Sequence, residues 1–405
     1  MNYKNALKWL NEIPISFNKD YKGYKLTLKK VYDLFNYLNN PEKKLKIIHI
    51  GGTNGKGSTS NIISSILQEH GKNIGIFSSP HILDIRERIK INDVYIPKDF
   101  FSKFISKHKK YFTENKISFF EILFSMSVSY FSKHKTDYVI LEVGLGGRLD
   151  ATNICNPIVS CITNIGFDHQ KFLGNTLLSI ATEKAGIIKP GVPLVVGDQR
   201  KNLINFFQKT CDDRQTKMYL ADTLNEVNYD SDLKGMYQRK NISVALKAVS
   251  LLNDIQIDYQ LVKKGVKNVK KNTRFYGRWD LILHNPDVII DIAHNFDGIK
   301  EILSQIKEYK NQIRIVFGTL DKIDQLKIIN LFPKNYIYYF CNIESERAMS
   351  VEKILEKARQ NKLNFNSFNK SKNALGQAIN DSSKNDVVFV IGSVYLISEI
   401  LTQKS

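Results

Sequence analysis

Gly51-Gly52-Thr53-Asn54-Gly55-Lys56-Gly57-Ser58 constrains this chain more than any other segment. Before it, Leu45-Lys46-Ile47-Ile48-His49-Ile50 is a short β-branched run of the type that makes a buried strand. After it, Ile62, Ile63, Ile66 and Leu67 follow helical spacing from Thr59 to Glu69. Glycines between a strand and a helix let backbone N–H groups converge on phosphate oxygens at the helix N-terminus. Lys56 adds a point charge for the outer phosphates, and the Ser58 hydroxyl is placed to meet Mg²⁺. In the common form of such a loop Ser or Thr follows the Lys directly, whereas Gly57 intervenes here. The segment predicts a nucleoside triphosphate site, with Gly55, Lys56, Gly57, Ser58 and Thr59 around the phosphates.

Such a loop needs a sheet to stand on. Strands are expected at Ile47–Ile50, Asn73–Phe77, Tyr138–Val143, Ile158–Ile165 and Pro193–Val196, with helices between them such as Phe119–His134 and Thr176–Ile187. Near-continuous apolar strands alternating with helices argue a parallel sheet covered on both faces. Residues 1–44 read as mostly helical, with a loop at Ser16–Lys25. A second alternating block has strands at Asp287–Ala293, Ile313–Phe317, Tyr336–Phe340 and Val387–Ile391. Its helices are expected at Gly298–Lys310, Asp324–Leu331, Val351–Gln360 and Ala374–Asp381.

The fold class is therefore α/β, and 405 residues suffice for two cores. The expected domains are an ATP-binding, P-loop-type, mostly parallel sheet domain over 1–276 and a smaller Rossmann-like α/β domain over 277–405, joined around Arg274–Asp280. A cleft between two such domains suits an enzyme that brings two substrates together.

Composition excludes several classes. No apolar stretch approaches the ~18–20 residues of a membrane span, and Met1 to Leu10 contains no signal-peptide core. A cytoplasmic enzyme without a membrane partner is the expectation. Cys155, Cys161, Cys211 and Cys341 fit no metal-ligand spacing and are too few for a disulfide scaffold, so reduced thiols are expected. The formal net charge of +19 raises the question of nucleic acid. Its lysines are spread along the whole chain, and no segment concentrates Arg with aromatics as a nucleic-acid groove does. Small anionic substrates are the expected partners instead.

Several strand ends carry reactive side chains. Glu142 closes the apolar run Ile140-Leu141-Glu142-Val143-Gly144; an unpaired anion there is costly and calls for a metal or a cation, unless a structural salt bridge serves. Asn164-Ile165-Gly166-Phe167-Asp168-His169 leads from a strand into a polar turn, where His169 is a candidate metal ligand or a histidine satisfied by hydrogen bonds. Ser58, Glu142 and His169 would together make a cation site. Lys184 lies on a helix expected beside the same crevice, though composition alone reads it as a solvated lysine. In Gly144-Leu145-Gly146-Gly147-Arg148-Leu149-Asp150-Ala151-Thr152-Asn153, glycines permit close backbone approach while Arg148 and Asp150 supply recognition groups. Ser78-Ser79-Pro80-His81 begins another such loop, with Arg86-Glu87-Arg88 adding charge. Asp291-Ile292-Ala293-His294-Asn295 ends a strand of the second block, and Arg278 at the junction is placed to reach across to phosphate.

Taken together, Gly52–Ser58, Ser78–His81 with Arg86–Ile89, Leu141–Asn153, Asn164–His169, Glu183–Gly186, Gly277-Arg278, Asp291–Asn295 and Gly392–Leu396 make the chain resemble the folylpolyglutamate synthase/dihydrofolate synthase family of the Mur ligase superfamily. The likeness runs from about residue 24 to 400, and Gly57 with the Leu141–Asn153 match favours the folate branch over cell-wall ligases. The resemblance implies ATP-dependent addition of L-glutamate to dihydropteroate or to folate polyglutamates through an acyl phosphate, by a monomer. It implies catalytic roles for Lys56, His169 and Lys184, and metal ligation by Ser58, Glu142, His169 and Lys184, the last as a carbamate. Two Mg²⁺ sites and a K⁺ ion belong to the same expectation. Asn241, Arg278, Asp291 and His294 match nucleotide-contacting motifs; Ser79, Phe120, Glu121, Asp150 and Ala151 match the region that holds the pterin substrate. Tyr237 departs from the pattern where the family usually has His, and so does Trp279-Asp280 after Gly277-Arg278. The competing readings are a cell-wall Mur-type amino-acid ligase and a non-catalytic nucleotide-binding module.

Overall fold

A computed structural model describes residues 1–14, 27–221, 229–322 and 325–402. The loop expected at Ser16–Lys25 lies outside them. The first sheet contains β1 (Ile47–Gly51), β2 (Ile74–Phe77), β3 (Ile89–Ile91), β4 (Val94–Tyr95), β5 (Tyr138–Glu142), β6 (Val159–Ile162), β7 (Leu194–Val196) and β8 (Met218–Leu220). Its order is β4-β3-β2-β5-β1-β6-β7-β8, parallel except for β3 and β4. All five residues of β1 are buried because parallel neighbours and helices cover both its edges and both its faces.

The register places the chemistry. Ile50 pairs with Glu142 of β5 on one side and Cys161 of β6 on the other, and Gly51 pairs with Ile162. Glu142, the phosphate loop and the turn after β6 thus leave the same end of the sheet, where its strand order reverses and ligand crevices form. On one face, helix Lys56–Glu69 buries Ile62, Ile63, Ile66 and Leu67 against Val244, Ala248, Val262 and Val266. On the other, helix Phe119–Lys133 buries Phe124 and Phe131 with Phe77 and Phe101. Each such side chain contributes about 1.5–3 kcal/mol on burial.

The second sheet contains β9 (Asp280–Leu283), β10 (Asp287–Ile290), β11 (Ile313–Phe317), β12 (Ile337–Cys341), β13 (Asn364–Phe368) and β14 (Val387–Ile391), ordered β13-β12-β11-β14-β10-β9. Only β9 is antiparallel.

Differences from the sequence expectations have local causes. β6 stops at Ile162 rather than Ile165: Thr163 N still donates to Gly51 O at 3.0 Å, but its hydroxyl turns to Asn54 O at 2.6 Å and Ile165 N donates to Asp198 Oδ2 instead of a strand neighbour. β10 stops at Ile290 rather than Ala293, since the Asp291 carboxylate accepts from Ala293 N and folds the chain. The helix expected at Asp324–Leu331 is a 3₁₀ segment over Gln325–Leu331, with Asp324 outside the described residues. β9 begins inside the segment read as a domain join, and β13 escaped notice because it is a largely exposed edge strand without an apolar run.

Candidate active site

Two glycines of the phosphate loop have no substitute. Gly52 and Gly55 have φ of 140° and 86°. A Cβ at these positions would sit 1.9 Å from Thr163 Oγ1 and 2.2 Å from Asn241 Oδ1 respectively. The turn after β6 braces the loop from below: Asn54 N donates to Asn164 Oδ1 at 2.8 Å, and Thr53 N donates to Asn164 O at 3.0 Å. Gly55→Ala is expected to impose about 1–3 kcal/mol of backbone strain and to push Asn241 away, lowering ATP affinity at least ~10-fold by calorimetry. Wild-type affinity in that variant would contradict this assignment of the loop.

Lys56 Nζ donates back to Gly52 O at 3.1 Å and Thr53 O at 3.2 Å. Lys184 Nζ, buried, donates to the same Gly52 O at 2.8 Å. Two lysine nitrogens therefore share one carbonyl. Burial first, and then the charge of Lys56, pulls the Lys184 amine down to about 7. The solvated lysine suggested by composition is instead an enclosed amine, much of it neutral near pH 7.

Beside this pair, Glu142 is buried, and a Cβ at Gly57 would lie 3.6 Å from its Oε2. Burial raises its carboxyl even though Lys56, the Ser79 N–H, Arg278 and Arg88 act in the opposite direction. Ser58 Oγ and Thr59 Oγ1 are both buried without a hydrogen-bond partner. A buried hydroxyl left without a partner is costly, so the site is incomplete as protein alone. His169 holds a left-handed backbone (φ 53°) at the start of the short helix Gln170–Leu173. Its side chain is 43% exposed at the cleft mouth. Desolvation by the cleft walls, with Lys322, His294 and Lys56 nearby and Asp168 opposing, pulls its imidazole down to about 4. A neutral imidazole keeps a lone pair for a cation. The Ser58 and Glu142 oxygens are donors of the type a hard divalent ion takes, and the His169 nitrogen is a further candidate donor. Among the described residues no three His, Cys, Asp or Glu side chains form a ligand cluster, so nucleotide oxygens would have to complete such a set.

The loops assigned to the substrate divide into two groups. Gly144 lies between the Phe120 ring and Asp150: a Cβ there would be 2.7 Å from the ring and 3.1 Å from Asp150 Oδ2. Phe120 also packs on Phe77 at 5.4 Å between ring centroids. Ser79 lies one hydrogen bond from Glu142, its N–H 3.3 Å from Oε2. Other polar groups serve the loops themselves. Asp150 accepts from Leu145 N, Thr152 N and Thr152 Oγ1, and caps the 3₁₀ turn that starts at Ala151. Glu121 closes a capping box, accepting from Ser118 N and Oγ at 2.7 Å each. Arg148, read as a recognition group, pairs with Glu183 at 2.8 Å, and Arg86 forks onto Asp84.

Residues from both sheets' layers complete the cleft. Asn241, on the first turn of helix Gln238–Ser250, touches Gly55. Arg278 stacks over Phe275 at 5.4 Å, and a Cβ at Gly57 would lie 3.6 Å from that ring. Asp291 is buried, with Oδ2 accepting from Tyr237 Oη at 2.5 Å and Trp279 N at 2.9 Å. His294 Nε2 lies 3.1 Å from Asp168 Oδ2, Asn295 Nδ2 donates to the same oxygen at 3.2 Å, and Lys322 Nζ donates to Asp168 Oδ1 at 3.0 Å.

Asp168, Asn295 and Lys322 were not singled out from sequence. Asp168 stood next to His169, and Asn295 three residues before Gly298, the spacing by which it caps helix Phe296–Ile306. Burial alone would raise the Asp168 carboxyl, but His294, His169 and Lys322 hold it well below the usual range. A carboxyl depressed in the folded state contributes stability above its unfolded pKa near 4, and loses it as pH falls through the folded value. Asp168→Asn should therefore melt below wild type at pH 7, with the gap closing as pH falls towards 3. A pH-independent gap would contradict this role.

A Mur ligase middle-domain model matches residues 50–269, and a Mur ligase, glutamate ligase domain model matches residues 277–394. The dihydrofolate synthase/folylpolyglutamate synthase of Bacillus subtilis is 31% identical, over 98% of this chain and 98% of its own. The chain belongs to the dihydrofolate synthase/folylpolyglutamate synthase family. Two solved structures of that family share its fold. Escherichia coli FolC in complex with ADP has a TM-score of 0.87 at 25% identity, covering 100% of this chain and 97% of that one. The bifunctional Yersinia pestis enzyme with AMPPNP and a Mn ion also has a TM-score of 0.87 at 25% identity, covering 100% and 98%. Family membership selects the folate branch over the cell-wall and non-catalytic readings.

Proposed function

We propose that this protein is an ATP-dependent ligase that adds L-glutamate to dihydropteroate and to (tetrahydro)folate polyglutamates, releasing ADP and phosphate. The observation that carries the reading is the Lys56 ammonium and the buried Lys184 amine on one carbonyl, that of Gly52, beside buried Glu142 and the unpartnered Ser58 hydroxyl. A device of this sort neutralises charge on a phosphoryl group in transit, which is more than nucleotide binding requires.

The acceptor presents a carboxylate, whose oxygen is too poor a leaving group for an amine to displace. Attack of that oxygen on the γ-phosphorus forms an O–P bond, breaks the bond to the bridging oxygen, and releases ADP. Lys56 sits at the outer phosphates and offsets the charge spread over their oxygens. The glutamate amino nitrogen then attacks the acyl carbon, loses its proton, and expels inorganic phosphate as the C–O bond breaks. His294 and Asn295 bind Asp168 across the cleft and hold the second sheet against the phosphate loop, keeping water from the mixed anhydride. Phe120, beside Gly144, provides a flat apolar wall for a pterin ring.

A divalent cation, Mg²⁺ in the cell, would be held by Ser58, Glu142 and His169, and would supply charge neutralisation and orientation of the phosphates. Carbamylation of the neutral Lys184 amine would turn it into an anion able to support a further Mg²⁺ or K⁺. The reading includes a division between an ATP-binding domain ending at 276 and a glutamate-ligase domain starting at 277, and a protein that acts as a monomer. Mass spectrometry of reactions with ATP, Mg²⁺ and L-glutamate should show each acceptor gaining one glutamyl unit per ADP. Dihydropteroate and tetrahydrofolate should compete for one site. A product from neither acceptor would overturn the reading; a product from one alone would restrict it to that activity.

A further inference from the structure

Tyr237 and Trp279, the two departures from the family pattern, meet on one carboxylate. Tyr237 precedes helix Gln238–Ser250, and its ring lies over Gly235, where a Cβ would approach to 2.4 Å. From there it crosses to the core of the second sheet, and its hydroxyl reaches Asp291 Oδ2 at 2.5 Å. Four residues on, along the same helical face, Asn241 touches Gly55 of the phosphate loop. The first turn of this helix therefore joins the phosphate loop, through Asn241 on Gly55, to the second sheet, through Tyr237 on Asp291. A second link runs from Gly57 through Phe275 to Arg278, whose charge also acts on Asp291.

We infer that Tyr237 is a positioning residue that fixes Asp291 as a one-acceptor contact for the bound nucleotide. A carboxylate offers about four acceptor directions. Tyr237 Oη and Trp279 N occupy Oδ2, and Ala293 N occupies one direction of Oδ1 at 2.8 Å. None of these donors takes the second direction of Oδ1, and the inference gives that direction to a hydroxyl or amine of the nucleoside. The hydroxyl of Tyr237 stops the carboxylate from rotating and tempers its charge. The inference rests on the proposal that ATP occupies this cleft, and its test does not depend on turnover.

Tyr237→Phe keeps the ring and removes the donor. Calorimetry with a non-hydrolysable ATP analogue should show Kd raised about tenfold, the scale of one lost bond to a charged group. The melting temperature should stay within a few degrees of wild type. In an Asp291→Ala background the same change should add nothing, because Tyr237 acts only through that carboxylate. In turnover assays KM for ATP should rise about tenfold while kcat stays within about twofold. An unchanged Kd, the same factor in both backgrounds, or a collapse of melting temperature and kcat together would overturn the inference. Failure of the ligase reading has a different signature, namely a wild-type protein that binds the analogue yet releases no ADP in response to acceptors.

Discussion

Lys56→Ala protein should release ADP in the presence of dihydropteroate and glutamate about 100- to 1,000-fold more slowly than wild type. The size follows from position. Lys56 lies in the first turn of the helix that receives the phosphates, and its ammonium is held by two loop carbonyls, Gly52 O and Thr53 O. Phosphoryl transfer asks little covalent chemistry of a protein, so removing a fixed charge beside the moving group falls almost wholly on the barrier. The fold should survive, since the lysine stem is only partly buried and anchors none of the described cores. The expected signature is a loss in kcat with near-wild-type circular dichroism and melting temperature. Turnover within tenfold of wild type would remove Lys56 from the mechanism.

The second large effect concerns Lys184. An ammonium buried next to another ammonium is unfavourable, and its amine falls to about 7 for that reason. The sign is clear: below about pH 7 the charged form is retained against burial, and above it the neutral amine dominates. Only the neutral amine adds to carbon dioxide, and the resulting carbamate places a negative charge beside Lys56 where a positive one stood. Occupancy of the carbamate, read by mass spectrometry under bicarbonate, should rise as pH increases through about 7. Lys184→Ala should cost about 100-fold or more in turnover, and short carboxylic acids should restore part of it. An unmodified amine in fully active protein would refute the carbamate. Rescue by an added amine rather than an acid would show that the positive charge is the working form.

How much of this was legible in the sequence depended on how local the signal was. The phosphate loop announced itself because strand, glycines, lysine and helix are contiguous. Strands such as Ile313–Phe317 and Val387–Ile391 were readable for the same reason, as buried apolar runs in a parallel sheet. Glu142 was legible as a carboxylate out of place among aliphatic residues. β13 was not, because an edge strand need bury little. Asp168 was not, because its partners His294, Asn295 and Lys322 lie 126 and more residues away and become neighbours only when the two sheets meet. Tyr237 was visible only as an oddity, and its meaning came from Asp291, 54 residues further on. The partners of Arg148 and Asp150 were not legible either, because charge in a glycine-rich loop is ambiguous between recognition and support of the loop. Folding directs the first to Glu183 and the second to its own turn.

The acyl phosphate at the centre of the account can be followed atom by atom. Dihydropteroate labelled with ¹⁸O in its carboxylate, incubated with the protein, ATP, Mg²⁺ and L-glutamate, should transfer one ¹⁸O per turnover to inorganic phosphate and keep the other in the amide product. Inorganic phosphate free of label, alongside a labelled product, would show that the carboxylate was never phosphorylated and would contradict the mechanism.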